Sequence, residues 1–216
     1  MGDGRLRAGL SRMPELGLFP LGIVLLPREQ IPLHVFEDRY QELIAECLDE
    51  EREFGLVFAD EDGLREIGTR AGVTEVLDRF EDGRLNIVVE GRDRFRLVEL
   101  TEGRSFATGV VEPVEDVPDP ADPKDSEHAL ELFHRLVELT GAEVEEPRLT
   151  VEQLSFELAG RFEFAPELKQ RLLQLTSERE RMHLLAELLA GAATAVERER
   201  EIAERAQGNG KVDPRG

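Results

Sequence analysis

Residues 112–127 (EPVEDVPDPADPKDSE) constrain the chain most. Four prolines, and seven acids against one lysine, make it the expected spacer or exposed extended crossing between two parts of the chain. Upstream of this stretch the apolar residues come in short runs at strand spacing. Downstream they recur every three or four positions, at helix spacing. A chain broken in this way is expected to fold as α+β, strands first and helices after. The 216 residues allow one large or two small domains, at roughly 100–200 residues each.

In the strand half, Leu21–Leu26 and Ile31–Val35 are expected strands joined by a turn at Pro27-Arg28-Glu29-Gln30. The period then changes. Tyr40, Leu43, Ile44, Cys47 and Leu48 fall on one face of a helix over Glu37–Glu50, which makes Cys47 a packed thiol. Further strands are expected at Phe54–Ala59, Glu66–Thr69, Val73–Phe80, Arg84–Glu90, Arg94–Leu100 and Ala107–Val114. Glu81-Asp82-Gly83 is a hairpin tip, because Asp-Gly supplies the positive φ that such turns demand. Short strands with one inserted helix suggest a closed or half-closed barrel.

In the helical half, Ser126 or Asp125 is the expected cap of a helix through Thr140. Thr150-Val151-Glu152-Gln153 has the form of a capping box ahead of Leu154, Phe156 and Leu158. Pro166 suits the first turn of a helix carrying Leu168, Leu172, Leu173 and Leu175. Ser177-Glu178-Arg179-Glu180 is a second box, opening a helix whose mixed-charge continuation is Val196–Arg205.

Charge and missing motifs narrow the chemistry. The net charge is −20, and that sign opposes general binding of nucleic acid or of anionic membrane. The most apolar stretch, Leu16–Pro27, is shorter than the ~20 residues of a membrane span and is broken by Pro20. A single cysteine excludes an internal disulfide and fits a reducing, cytoplasmic setting. There is no GxxxxGK[ST], GxSxG or HExxH. His34, His128, His134 and His183 are scattered, and only His128 and His134 would share a surface, without making a zinc site. Ser126 beside Lys124, and Ser177 near Lys169, are the nearest approaches to a Ser–Lys dyad, and Ser177 is better explained as a cap. No catalytic, cofactor-binding or metal-ligating residue is assigned, and none is assigned to protein binding.

Particular residues carry a resemblance. Leu18-Phe19-Pro20-Leu21, Val24-Leu25-Leu26-Pro27 and Ile31-Pro32-Leu33-His34-Val35-Phe36-Glu37-Asp38-Arg39-Tyr40 resemble the amino-terminal region of ATP-dependent Lon proteases, which reads like "LPLFPLR…VLFPG…PLHIFEPRY". The series continues through Phe54-Gly55-Leu56-Val57, Ile67-Gly68-Thr69, Val76-Leu77, Asp82–Asn86 and Val89–Leu97. It resumes at Leu168–Leu173 and Arg179–Leu189. The resemblance implies a PUA-like β-barrel with an inserted helix, followed by an α-helical bundle subdomain. Its expected limits are a disordered leader at 1–14, the barrel at 15–114, a linker at 115–126, helices at 127–206 and a disordered tail at 207–216. It also implies a module that recruits protein substrates and takes part in oligomer assembly, with ATPase and peptidase activities in domains this chain lacks. Arg28-Glu29 stands where the family commonly has Gly, which suggests a different turn.

The expectation is therefore a non-enzymatic protein that binds other polypeptides at exposed apolar or unfolded segments, with no cofactor. The alternative is a PUA-like RNA-binding module, for which Arg92, Arg94 and Arg96 would form a basic stripe on one strand face. Within the quoted blocks, His34 and Glu37 are candidate site residues. Pro32, Leu33, Val35 and Phe36 are expected in strand and core, and Arg39 and Tyr40 are expected to hold the helix on the barrel. Gly91 with Arg92–Arg96 reads as turn and strand, and Phe54, Phe80, Phe95 and Phe106 read as core.

Overall fold

The computed structural model describes residues 15–209. The expected leader at 1–14 and the end of the expected tail, 210–216, lie outside them. In chain order the elements are β1 (Glu15–Leu21), β2 (Gln30–Val35), α1 (Asp38–Asp49), β3 (Phe54–Asp60), β4 (Gly63–Leu64), β5 (Ile67–Arg79), β6 (Leu85–Thr101) and β7 (Thr108–Pro113). Then follow α2 (Pro123–Thr140), α3 (Leu154–Ala159), α4 (Pro166–Gln174) and α5 (Glu178–Asn209).

The sheet closes on itself. β1 pairs antiparallel with β7 and parallel with β3, while β7–β6–β5–β3 completes the ring. Closure removes the open edges of the ring. β2 lies outside it, paired only with the first half of β6. Helix α1 presents Tyr40, Leu43, Ile44 and Cys47 to the barrel, where Tyr40 stacks on Phe19 with ring centroids 4.1 Å apart. Cys47 is buried on that face, and loss of solvation pushes its thiol up to about 11.

Three expectations about strands are corrected. The first strand is Glu15–Leu21, and Val24–Leu26 is a buried loop instead of a strand. The pairs of strands expected on either side of Gly72 and of Gly91 are single long strands, β5 and β6, which bend at bulges such as Thr69/Ala71 and Val73/Glu75. Gly91 is therefore not a turn. A Cβ there would stand 2.1 Å from the Leu26 carbonyl oxygen, so the glycine lets the β1–β2 loop lie directly on β6. The Arg28 amide donates to the Gly91 carbonyl at 2.8 Å, and the Gly91 amide donates to the Glu29 carbonyl at 2.9 Å. Arg28 itself has φ 69°, the left-handed conformation that glycine adopts most readily, so the turn keeps a glycine-like backbone without the glycine.

The helices also begin elsewhere than expected. α2 starts at Pro123 behind Asp122, ahead of Asp125 and Ser126, and ends on Gly141 in the left-handed region. The capping box at Thr150 does not form. α3 starts at Leu154, and the Gln153 side chain donates to Asp116 instead of capping it. All six residues of α3 are buried, so packing and not a cap holds this short helix. The Ser177 box does cap α5, whose Glu180 amide donates to Ser177 Oγ at 3.1 Å. α5 runs on to Asn209, past the expected helical limit at 206.

The largest correction concerns the Pro/Asp stretch, expected as a spacer. It is strapped to both halves. The Val114 amide donates to the Arg94 carbonyl at 3.1 Å, the Val117 amide to the Thr176 carbonyl at 2.9 Å, and the Arg179 amide to the Asp119 carbonyl at 3.2 Å. One apolar core passes beneath it, in which Val24, Leu26, Phe58 and Ile67 of the strand half pack with Phe133, Phe156, Leu172, Leu185 and Leu189 of the helices. A fully buried side chain of this size contributes about 1.5–3 kcal/mol, so this shared core joins the halves firmly.

Candidate functional site

Two regions carry side chains in unusual environments. The first is the seam between strands and helices, where charges are buried. The Asp116 carboxylate, from the Pro/Asp stretch, accepts from Arg94 Nη2, from Arg181 Nη1 (2.7 Å) and Nη2, and from Gln153 Nε2 (3.0 Å). Arg94 also donates to the carbonyls of Leu173 (2.8 Å) and Leu175 (2.6 Å). Arg181, fully buried, donates to Glu178 Oε2 at 2.7 Å and to Ser155 Oγ at 3.1 Å. Both guanidinium carbons lie over the Phe156 ring, at 5.4 and 4.4 Å.

Burial disfavours the charge on Asp116, but hydrogen bonds from Arg181 and Gln153 outweigh it and hold the carboxyl below its ordinary value. Burial likewise opposes the charge on Arg181 and is outweighed by Asp116 and Glu178, which raise its pKa. For Arg94 burial wins, and its pKa falls. A second buried contact joins Lys169 Nζ of α4 to Glu29 of the β1–β2 turn, whose other oxygen accepts the Leu26 amide at 2.9 Å. Burial raises the Glu29 carboxyl against the pull of Lys169.

A cleft of about 830 Å³ opens over this seam, lined by residues of the Pro/Asp stretch with Arg70, Arg92 and Glu152. Its floor consists of Arg94, Asp116, Gln153 and Glu178, which are already bonded to one another and to their neighbours. The cleft therefore offers a wall of mutually bonded polar groups, with the carboxylates of Asp93, Glu115 and Glu152 also lining it.

The second region is the outer face of the wing formed by β2, the first half of β6 and the second half of β5. Register puts Leu33, Ile87 and Val76 in one row and Ile31, Val89 and Val73 in another, both packed on the barrel core. The alternate rows face outward, as the pleat requires: Pro32, Val88 and Glu75 in one, His34, Asn86 and Asp78 in the next. The polar row is bonded across the strands, His34 Nδ1 with Asn86 Oδ1 at 2.7 Å and Asn86 Nδ2 to Asp78 Oδ2 at 2.9 Å. Two aromatic rings lie against it. Phe36 stacks on His34 at 5.9 Å, and Phe80 meets the same imidazole edge-on at 6.2 Å. Phe36 is 61% exposed and Phe80 40%, with Leu77 at the neighbouring bulge 49% exposed. The hairpin tip holds this face in shape, with Gly83 at φ 89° and the Phe80 amide donating to the Arg84 carbonyl at 2.9 Å.

These positions sort the residues named from sequence. His34 lies on the outward face, whereas Glu37 precedes α1 and pairs with Arg39, so the two form no joint site. Phe36 and Phe80 are not core; Phe54, Phe95 and Phe106 are. Tyr40 anchors α1, and exposed Arg39 lies over its ring at 4.5 Å. The basic stripe does not assemble. Arg94 is buried on Asp116, Arg92 pairs with Glu90, and Arg96 with Glu66 and Glu112. His128 and His134 stand apart, against Glu131 and Glu146. Lys169 belongs to Glu29, and Ser177 to its cap and to Asp119. Among the described residues no cluster of three metal-ligating side chains occurs, and no helix is long and apolar enough to cross a membrane. Sequence reading missed Asp116, Arg181 and Glu29. Only Arg181 carries a signal, standing one helical turn before Leu185 on an apolar helix face, whereas Asp116 lies among other acids and Glu29 in a polar turn.

Comparison with known proteins agrees with this architecture. The family described as the ATP-dependent protease La (LON) substrate-binding domain matches residues 15–191. The Lon N-terminal domain protein from Xanthomonas campestris superimposes with a TM-score of 0.64 at 27% identity, covering 82% of this chain and 98% of that one. The N-terminal domain of Mycobacterium avium complex Lon protease gives 0.61 at 19% identity, with the same coverages, a likeness of fold. Lon protease of Paraburkholderia phytofirmans is 26% identical over 98% of this chain, and that of Parabacteroides distasonis 27% over 65%. The chain spans 28% and 18% of the lengths of those two relatives. With the closed barrel, the inserted helix and the trailing helices as far as residue 191 within the matched span, the chain belongs to the Lon substrate-binding domain family.

Proposed function

We propose that this chain is a non-catalytic module that binds other polypeptides, taking up exposed apolar or unfolded segments on the outer face of the β2–β6–β5 wing. The observation that carries the reading is the solvent-facing pair Phe36 and Phe80, held around His34 on a sheet whose other side is packed into the core. Aromatic rings left in water on a rigid surface are a standing source of binding free energy, about 25 cal/mol per Å² when covered. Membership of a substrate-binding family supports the same direction. A single cysteine, with no internal disulfide to keep, suits work in a reducing, cytoplasmic setting.

The test is a titration with permanently unfolded model proteins followed by fluorescence anisotropy. Binding at micromolar or better is expected, weakened at least tenfold by Phe36→Ser with Phe80→Ser. Binding untouched by that double substitution would remove the wing from the reading. No binding to any unfolded protein would end it.

A further inference from the structure

The outer face of the wing is apolar at its centre and acidic at its rim. Glu75 and Asp78 stand on β5 in the two outward rows, and Glu81 follows Phe80 directly in the hairpin. All three are exposed, and none has a cation within 4 Å among the described residues. The nearby arginines are committed: Arg39 to Glu37 and Arg84 to Asp82, with Arg84 also lying over the Phe80 ring at 5.1 Å. Arg79 shares a row with buried Leu85, on the opposite side of the sheet from Asp78. Glu75 and Asp78 therefore give the outward face negative charge, with Glu81 at its hairpin end, and no cation among the described residues pairs with any of the three, within a chain whose net charge is −20.

From this we infer that the wing selects for a particular class of segment: apolar or aromatic residues flanked by Lys or Arg. This rests on the polypeptide-binding reading above and adds the charge of the client to it. An apolar stretch covering Phe36, Leu77 and Phe80 places its flanking residues over Glu75, Asp78 and Glu81. Cations there gain three attractions that neutral flanks lack and acidic flanks reverse. The long-range field of the chain acts in the same sense and raises the rate of encounter.

The experiment uses three labelled peptides with one Phe/Leu core, flanked by Lys, by Gln or by Glu, titrated into the full chain. At low salt, about 50 mM, the Lys-flanked peptide is expected to bind on the order of tenfold tighter than the Gln-flanked one, and the Glu-flanked one more weakly still. Raising the salt should bring the three together. In the variant Glu75→Gln, Asp78→Asn, Glu81→Gln the Lys and Gln peptides should bind alike. Asn at 78 retains an acceptor for Asn86, and all three positions are exposed, so the variant keeps its fold. Equal affinity for the three peptides would overturn the charge selection and leave polypeptide binding standing. A lysine preference that survives the triple substitution would overturn its assignment to these acids. Failure of all three peptides to bind would overturn both.

Discussion

The seam and the wing invert the usual distribution of residues in opposite ways. At the seam charged groups are buried; on the wing aromatic groups are exposed. The difference is in completion. Arg94, Asp116, Gln153, Glu178 and Arg181 satisfy one another, so the seam has a fixed geometry. Phe36, Leu77 and Phe80 stand on a sheet packed from below, and no described residue covers them. A buried ion network contributes little net stability compared with a well-packed apolar substitute, whereas removing one member leaves an uncompensated charge. The shared core of Leu26, Phe58, Phe156 and Leu172 holds the halves together, and the seam sets how they sit.

The strongest test of this contrast is Arg181→Met. Glu178 loses its cation and Asp116 loses the donor that occupies both its oxygens, so unfolding in urea should show a loss of about 3–5 kcal/mol. A loss under 1 kcal/mol would mean that the network is ornamental. A smaller effect separates half-buried Asp116 from buried Glu29 by pH. Asp116 is held below its ordinary 3.8, so its contribution is complete above that value and disappears as pH falls through its native pKa. Glu29 is raised above its ordinary 4.5, so the native state holds that proton longer than the unfolded chain. Its ionisation lowers stability as pH climbs from 4.5 through its native pKa. Stability profiles of Asp116→Asn and Glu29→Gln, measured from pH 2 to 8, should lose slope in those separate windows. Loss of slope in the same window for both would contradict the assignment. Smallest of all, Phe36→Ser should leave the unfolding free energy within about 0.5 kcal/mol of the parent while client binding falls. A large loss of stability would make Phe36 a core residue after all.

Much of the fold is legible in the residues. Tyr40, Leu43, Ile44 and Cys47 mark one helix face, Asp82-Gly83 marks the hairpin, and Pro166 and Ser177 mark two helix starts. Each is a local signal, because helix period, positive φ and capping act over a few neighbouring residues. The misreadings share a cause as well. Gly72 and Gly91 look like breaks within strands, yet β5 and β6 pass through them. At Gly91 the reason, the Leu26 carbonyl, lies 65 positions away in sequence.

The candidate site divides along the same line. The α+β order, a strand-rich half with one inserted helix, the acid excess and the family were legible in the residues, since each is written in composition, period or short blocks. That the Pro/Asp stretch is a strap and that Arg94 is spent on Asp116 followed from the folded chain alone. It also decided that Phe36 and Phe80 share one uncovered face. The partners in each case come from separate elements, and whether a charge is paired or a ring is covered depends on what distant chain is folded against it.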